Sequence, residues 1–212
     1  MKQNITYREF QESDRPALEA IIRETWHYDA FCSPKTARRL ARVYLCSCLA
    51  NQTFTQVALA EGRPVGIIMS KNSRIHRCPA RVRLNMAAAI LALYSTREGR
   101  AVSDIFQCVQ EIDARLLAQC QKNYPGELAL FAVSRCMRKS GIGKALFEKH
   151  LAYLHSQNIR EFFLFTDTSC NYPFYEHRGM VRRAEEEHTF SASGIQEKMR
   201  FFIYDFQQGA PA

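Results

Sequence analysis

The fold of this chain is decided by residues 126–180, which read GELALFAVSRCMRKSGIGKALFEKHLAYLHSQNIREFFLFTDTSCNYPFYEHRGM. An apolar run at residues 127–133 and a second one at residues 162–166 each predict a buried strand. The segment between them contains a glycine-rich turn, followed by apolar residues at the spacing of one helix face, namely Leu146, Phe147, Leu151 and Leu154. The stretch therefore predicts a strand, a turn, a helix, a second strand and a short final helix.

The turn between the first strand and the helix, residues 138–144, reads RKSGIGK and combines two glycines with three cations. The first free N–H groups of a helix and the positive end of its dipole attract anions, and glycine lets a phosphate approach the backbone closely. A glycine turn by itself is common. Its position between an apolar strand and an amphipathic helix favours a phosphate-binding loop over an ordinary strand-to-helix turn.

The composition is that of an ordinary globular protein, with 47% hydrophobic and 24% charged residues in a chain of 212. No repeat, low-complexity tract or linker divides it, so we expect one domain over residues 1–212. The net charge of +8 suits an anionic ligand, a nucleic acid or an anionic surface and does not choose among them. Because no apolar run approaches the roughly 18 residues of a membrane helix, no membrane partner is expected.

The eight cysteines could form a set of disulfides, but the N-terminal residues MKQNITYR lack the apolar core of a secretory leader. We therefore expect reduced thiols and a cytoplasmic protein. The pair Cys46 and Cys48 lacks the spacing of a zinc knuckle, and the six histidines are scattered along the chain. No metal site is expected.

Two hairpins are predicted outside the deciding stretch. Residues 54–61 and 64–71 are short strands separated by a gap that contains Gly62. Residues 181–190 and 196–206 alternate polar and apolar side chains around the sequence SASG and predict a final hairpin.

The segment between the first hairpin and residue 126 predicts two helices. Residues 84–93 are alanine-rich and almost entirely apolar, which predicts a buried helix, and residues 103–121 have apolar residues at helical spacing. The basic residues between positions 71 and 83 indicate a solvated face, with a basic rim for an anionic substrate as the alternative.

The sequences RKSGIGKAL after the first strand and NYPFYEHRGM after the second resemble those of the GNAT acetyltransferases. The resemblance implies an α/β (α+β) fold with a mixed, mostly antiparallel central sheet flanked by helices, in which the fourth and fifth strands splay apart. Acetyl-CoA would lie in that wedge as a cosubstrate. The family commonly has a short connection between the third and fourth strands. The helical insertion at residues 72–126 departs from this pattern and leaves the acceptor class open.

The resemblance also implies which residues hold acetyl-CoA. The pantetheine arm would pair with the fourth strand at Phe131, Ala132 and Val133, and Asn171 would hydrogen-bond the same arm. The diphosphate would sit on the amides of the turn, which comprises Arg138, Lys139, Ser140, Gly141, Ile142, Gly143 and Lys144. Tyr175 would lie near the thioester sulfur.

Acetyl transfer to an amine needs a base and an acid. An ammonium group with a pKa near 10.4 costs about 4.6 kcal/mol to deprotonate at pH 7, and a positioned base contributes about 10²- to 10⁴-fold. Glu127 is the favoured base, because a carboxylate just before an apolar run can enter the cleft with a raised pKa. Tyr175 is the candidate acid for the leaving thiolate. The alternatives are Asp167 or His177 as the base and Cys170 as an acetyl carrier, and each of these three also has a structural interpretation.

The sequence therefore predicts an acetyl-CoA-dependent N-acetyltransferase that acts by direct transfer to a primary amine. The alternative is a catalytically inactive CoA-binding regulatory or interaction module. A nucleic-acid partner is disfavoured, because the aromatic residues lie inside apolar runs rather than between basic residues. The acceptor is a small-molecule amine or a protein amine, and an acidic cleft from Asp29, Glu61 and Glu127 could favour a cationic one. A homodimer is compatible with the sequence.

Overall fold

The computed structural model describes residues 4–192 and 195–207 and places the seven strands of this part in one sheet. The strands are β1 (Ile5–Arg8), β2 (Phe54–Ala60), β3 (Arg63–Asn72), β4 (Gly126–Val133), β5 (Glu161–Asp167), β6 (Val181–Ala192) and β7 (Ile195–Gln207). Their order across the sheet is β1-β2-β3-β4-β5-β7-β6, and among them β4 and β5 form the one parallel pair. The predicted mixed, mostly antiparallel sheet is confirmed.

The helices that flank the sheet are α1 (Arg15–Thr25), α2 (Pro34–Ala50), α3 (Ala80–Tyr94), α4 (Arg97–Gln119), α5 (Ile142–Ser156) and α6 (Pro173–Glu176). Helix α2 begins where the Ser33 hydroxyl accepts a hydrogen bond from the Thr36 amide, and Pro34 fits its first turn. Helix α4 begins in the same way at Thr96, whose hydroxyl accepts from the Gly99 amide. Because α3 and α4 lie between β3 and β4, the predicted helical insertion is confirmed.

Helices cover both faces of the sheet. On the first face, α1 and α2 pack over β2, β3 and β4 through a core that includes Leu18, Ile22, Leu40, Leu45, Ile67 and Met69. On the same face, Ile112 and Leu116 of α4 pack on Phe163 of β5 and Ile203 of β7. On the second face, α5 packs through a core that includes Ile68, Leu146, Phe147, Phe162 and Phe202. Each fully buried side chain of this kind stabilises the fold by about 1.5–3 kcal/mol, so these cores hold β4 and β5 firmly from both faces.

Helix α3 corrects one prediction, because the helix that was expected to be buried is largely exposed. Leu84 and Leu91 are 70% and 71% exposed, whereas Ala89 and Leu93 are buried. The helix packs mainly against α2 and α4 instead of the sheet, so one narrow side of it is covered. An alanine-rich apolar run predicts a helix, but without a clear stripe of larger residues it does not specify how much of that helix is covered.

Both predicted hairpins are present, as β2–β3 and β6–β7. Ser193 and Gly194, which the sequence places in the turn of the final hairpin, lie outside the described residues. All eight cysteines are free thiols. Within the described ranges, no helix combines the length and the apolar character that crossing a bilayer requires.

Strands β4 and β5 meet at one end and part at the other. Their pairing is confined to Gly126 with Phe162 and Glu127 with Phe163. Beyond that point β4 continues along β3 alone and β5 along β7 alone. The pairing of β3 with β4 also skips Ala129, and a bulge of this kind bends a strand. The result is a wedge whose open end lies between the C-terminal ends of the two strands.

Candidate functional site

The turn after β4 presents a row of unpaired backbone amides. The i to i−4 hydrogen bonds of α5 begin at Ala145, whose amide donates to the Gly141 carbonyl at 3.0 Å. In the part of the chain that the structure describes, the amides of residues 139–144 donate to no acceptor. Lys139 and Gly141 have φ values of +63° and +87°, and this left-handed backbone turns successive N–H groups toward one side. With the positive end of the α5 dipole, the turn is suited to bind an anion.

The side chains of the turn divide into an anchor and a charged rim. Ile142 is buried in the core beneath α5, and the Ser140 hydroxyl donates to the Met137 carbonyl at 2.6 Å. These two contacts fix the turn. The cations are exposed, as expected for a rim around an anion, and comprise Arg138, Lys139 and Lys144.

Phe131 connects the turn with the wedge. A Cβ built on Gly143 would meet the Phe131 ring at 3.6 Å, so the start of α5 lies directly beside β4. The same ring packs against Phe174 and Tyr175, with centroid distances of 5.5 and 6.5 Å. Phe131 and Val133 contact the α5 core, and Ala132 between them faces the α1 and α2 core. The structure therefore brings together the predicted strand, turn and tyrosine.

The edge of β4 that faces the wedge has backbone groups available for a ligand. From residue 128 onward, β4 pairs with β3 on its other edge, while β5 no longer pairs with it. An extended ligand can bind such an edge through main-chain hydrogen bonds. Asn171, which follows β5, is exposed, and its carbonyl accepts a hydrogen bond from the Phe174 amide at 3.2 Å.

Tyr175 lies on α6 with 9% of its surface exposed. Burial raises the pKa of its phenol far above the usual range, and the charges of Cys170 and Asp167 add to the rise. The hydroxyl makes no hydrogen bond to any described residue. A phenol in this setting stays protonated at neutral pH and has a proton to donate.

Glu127 lies at the closed end of the wedge, where β4 and β5 still pair. Its carboxylate accepts a hydrogen bond from the Asn51 amide group at 2.9 Å and forms an ion pair with Lys71 at 3.4 Å. Burial raises the pKa of Glu127, and Lys71 and Asn51 partly oppose this rise. The carboxylate borders a cleft of about 490 Å³ whose wall includes Phe163, Phe165 and Leu117.

The other sequence candidates have local roles. Asp167 caps the turn after β5, where the amide of Ser169 donates to it at 2.7 Å and the Ser169 hydroxyl donates as well. His177 is exposed, and its ring lies 2.6 Å from the Pro173 carbonyl. Burial raises the pKa of Cys170 to about 12, so its thiol is protonated at neutral pH and is a poor nucleophile.

The predicted acidic cleft of Asp29, Glu61 and Glu127 is wrong, because these three acids lie apart and the cleft beside Glu127 is also lined by Lys71 and Lys122. Asp29 is exposed and forms an ion pair with Arg23. Glu61 lies in the β2–β3 turn, at one end of β3. Glu127 pairs with Lys71 at the other end of that strand. Asp113 of the inserted helix α4, which the sequence analysis missed, is an acid whose charge interacts with those of Asp167 and Glu127. Burial raises the pKa of Asp113 to about 7, and the charges of Asp167 and Glu127 add to the rise.

A helical-wheel signal could have identified Asp113. The residue stands in the apolar stripe of α4, where the pattern Val102, Phe106, Val109, Asp113, Leu116 places an acid at a position that otherwise faces the core. Its carboxyl group makes no hydrogen bond to any described residue. An acid in such a stripe is either paired in the core or available to a ligand.

Comparison with known proteins gives a family. The sequence matches the model of the Acetyltransferase (GNAT) family over residues 16–180, which is most of the chain. No curated protein sequence matches it. The solved structure of SsHAT is similar, at 17% identity, with 98% of this chain and 100% of that chain covered and a TM-score of 0.62.

Two further solved structures share the fold. One is a ribosomal-protein-alanine N-acetyltransferase from Brucella melitensis, at 14% identity, with 95% of this chain and 99% of that chain covered and a TM-score of 0.55. The other is Ard1 from Thermoplasma volcanium, at 16% identity, with coverage of 96% and 97% and a TM-score of 0.52. At such identities these likenesses show the fold alone.

Proposed function

The chain belongs to the GNAT family of acetyltransferases, and we propose that it transfers the acetyl group of acetyl-CoA directly to a primary amine. The observation that carries this proposal is the wedge between β4 and β5, which opens beside a turn with six unpaired amides, those of residues 139–144. The turn suits a diphosphate, and the wedge suits an extended arm and a thioester.

The residues of the wedge fit acetyl-CoA. In the proposal, the diphosphate lies on the backbone of residues 138–144, and the exposed cations of that turn add charge-assisted contacts worth roughly 1.5–3 kcal/mol each. The pantetheine arm runs along Phe131, Ala132 and Val133, with Asn171 as a further hydrogen-bonding partner. Acetyl-CoA supplies the activated acyl group when it is bound.

Glu127 and Tyr175 are the proposed acid–base pair. Glu127 accepts a proton from the acceptor ammonium, directly or through one water molecule, so that the neutral amine can attack the thioester carbonyl. As the carbon–sulfur bond breaks, Tyr175 gives its proton to the leaving thiolate, and the second proton that the amine nitrogen loses in becoming an amide returns to the Tyr175 oxygen. The raised pKa of Glu127 supports its role, because a stronger base takes up the proton more readily. The raised pKa of Tyr175 keeps its phenol protonated at neutral pH, so a proton is present beside the leaving group.

Thermal melting with and without acetyl-CoA tests the binding half of the proposal. A ligand at a hundredfold excess over its Kd stabilises the folded state by about 2.7 kcal/mol. A melting temperature that acetyl-CoA leaves unchanged, in well-folded protein, would count against the proposal.

Thiol release from acetyl-CoA over a panel of amines tests the chemical half. Binding without release with any amine would favour the inactive CoA-binding module.

A further inference from the structure

The outer face of helix α3 exposes large apolar side chains. In the part of the chain that the structure describes, six large hydrophobic residues are exposed, and four of them lie between residues 75 and 94, namely Ile75, Leu84, Leu91 and Tyr94. Leu84 and Leu91 are the most exposed of the six. Because about two helical turns separate them, they lie on the same side of the helix. A concentration of exposed apolar side chains of this kind marks an interaction surface.

The opposite side of α3 fixes the orientation of the helix. Ala89 and Leu93 are buried, and Leu93 packs in the core beneath α1 and α2. The outer side is therefore held towards solvent. The alanines at positions 87 and 88 lie between the two leucines and are also exposed. We call the surface formed by Leu84, Ala87, Ala88 and Leu91 the α3 strip.

Arginines flank the α3 strip on both sides. With 3.6 residues per turn, Arg81 lies about 60° to one side of Leu84 and Arg83 about 100° to the other. Both are exposed, and neither forms an ion pair with a described residue. The charge of Glu12 interacts with that of Arg81, but Glu12 already forms an ion pair with Arg15 at 2.6 Å. Residues 62–97 include seven arginines and lysines and no aspartate or glutamate, so the charge around the strip is of one sign.

We propose that the outer face of α3 binds to the surface of a membrane that contains anionic phospholipids. Leu84 and Leu91 enter the boundary between the headgroups and the acyl chains, while the long side chains of the flanking arginines reach the phosphates. Tyr94 is of the residue type that favours this boundary. The expectation of no membrane partner concerned a helix that spans the bilayer, and a helix that lies on the surface needs no such length. The inference does not depend on the proposed acetyl transfer.

The combination of apolar centre and cationic flanks distinguishes this partner from two others. A second copy of the chain would bring the same cations to the interface and no acid from residues 62–97 to pair with them. A nucleic acid would neutralise the arginines but leave Leu84 and Leu91 in water, and base stacking needs aromatic residues among the cations. An anionic lipid surface accommodates both the strip and its flanks.

Sedimentation of the full chain with lipid vesicles tests the proposal. We expect binding to be at least tenfold tighter for vesicles of phosphatidylcholine with about one third phosphatidylglycerol than for phosphatidylcholine alone, and to weaken as salt is added. The double variants Leu84→Ser/Leu91→Ser and Arg81→Gln/Arg83→Gln change only exposed side chains, so the fold should persist, and each should weaken the binding at least tenfold.

The matched control for charge is Arg63→Gln/Arg160→Gln. It removes the same two positive charges from exposed positions outside α3. Its affinity for the anionic vesicles should stay within about twofold of the wild-type value, because charges more than a Debye length from the membrane are largely screened. A loss as large as that of the α3 arginine variant would overturn the inference, since net charge alone would then explain the binding.

A tryptophan at position 91 detects the contact without removing it. Leu91→Trp keeps the position apolar, and its fluorescence should be quenched by vesicles with brominated acyl chains. Val181→Trp, at an exposed position on β6, should not respond. The native Trp26 packs against the core and gives the same background in both variants.

Three results would overturn the inference. They are an absence of vesicle binding, wild-type affinity in both α3 double variants, and equal quenching at positions 91 and 181. An absence of vesicle binding combined with a dimer that Leu84→Ser/Leu91→Ser dissociates would assign the face to a second copy. RNA binding in its place would assign the arginines to a nucleic acid. Acetyl transfer is measured separately by thiol release and is not affected by any of these results.

Discussion

Asp113→Asn should make the protein more stable at pH 8 and have a much smaller effect at pH 4.5. The pKa of Asp113 rises in the folded state from 3.8 to about 7. Between these values the folded protein keeps a proton that the unfolded chain has lost. Stability is therefore highest below pH 3.8 and is lost as the pH rises through about 7. Asparagine has nearly the same shape and carries no charge, so the variant avoids this loss.

The magnitude follows from the size of the shift. A difference of about three pKa units at 1.36 kcal/mol each gives an upper bound of about 4 kcal/mol. Asp113 is only partly buried, and water that reaches the carboxylate reduces this figure. We expect a gain of about 1–2 kcal/mol in the free energy of unfolding at pH 8. For a chain of this length, that gain corresponds to a rise in Tm of roughly 2–8 °C.

Urea unfolding at several pH values between 4.5 and 8 measures this effect. The quantity of interest is the difference between variant and wild type at each pH, because the titration of other groups largely cancels in it. Asp104→Asn, on the exposed side of the same helix, should give no such trend. A difference that is equal at pH 4.5 and pH 8 would show that the Asp113 carboxylate is solvated and lies outside the acidic cluster.

Three further predictions concern the cofactor side and the chemistry. Tyr175→Phe should lower kcat at least tenfold and leave the Kd of acetyl-CoA within about twofold, because the lost hydroxyl has no partner in the described structure; unaltered turnover would remove Tyr175 from the mechanism. Gly141→Ala and Gly62→Ala should each cost roughly 1–2 kcal/mol of stability, because both glycines have positive φ and open space around them. Calorimetry should find weaker acetyl-CoA binding for Gly141→Ala alone. Glu127→Gln should lower kcat about 10²-fold and remove the acidic limb of the pH–rate profile; a profile that keeps this limb would assign the base elsewhere.

The strand, turn and helix at residues 126–156 could be predicted from the sequence because their determinants are local. The apolar run of β4, the turn at residues 138–144 and the amphipathic α5 follow one another directly along the chain. Turn chemistry and helix dipoles act over a few residues, so the motif can be read without knowledge of the remaining fold. The burial of Ile142 and the exposure of the neighbouring cations follow from the same short-range pattern.

The surroundings of Glu127 could not be predicted in the same way, because the residues that interact with it are distant in sequence. Asp113 and Glu127 lie on different elements, and nothing local specifies that α4 folds back over β5. The exposure of α3 was missed for the same reason, because periodicity indicates a helix face but not the element that covers it. Tyr28, which precedes α2, packs against Phe106, about eighty residues later in the chain, and no local pattern predicts this contact.

The net charge of +8 does not describe the electrostatic field inside the fold. The cations of the turn, Arg138, Lys139 and Lys144, are exposed, where water and salt weaken their field within about 10 Å. Asp113 and Glu127 are at least partly buried, and at low dielectric a charge acts several times more strongly on a nearby ligand. A ligand beside Glu127 therefore experiences the few partly buried acids more than the many bases on the surface. The exposed cations of the turn act at a separate place, beside the start of α5, so one basic chain can present fields of opposite sign to two parts of the same site.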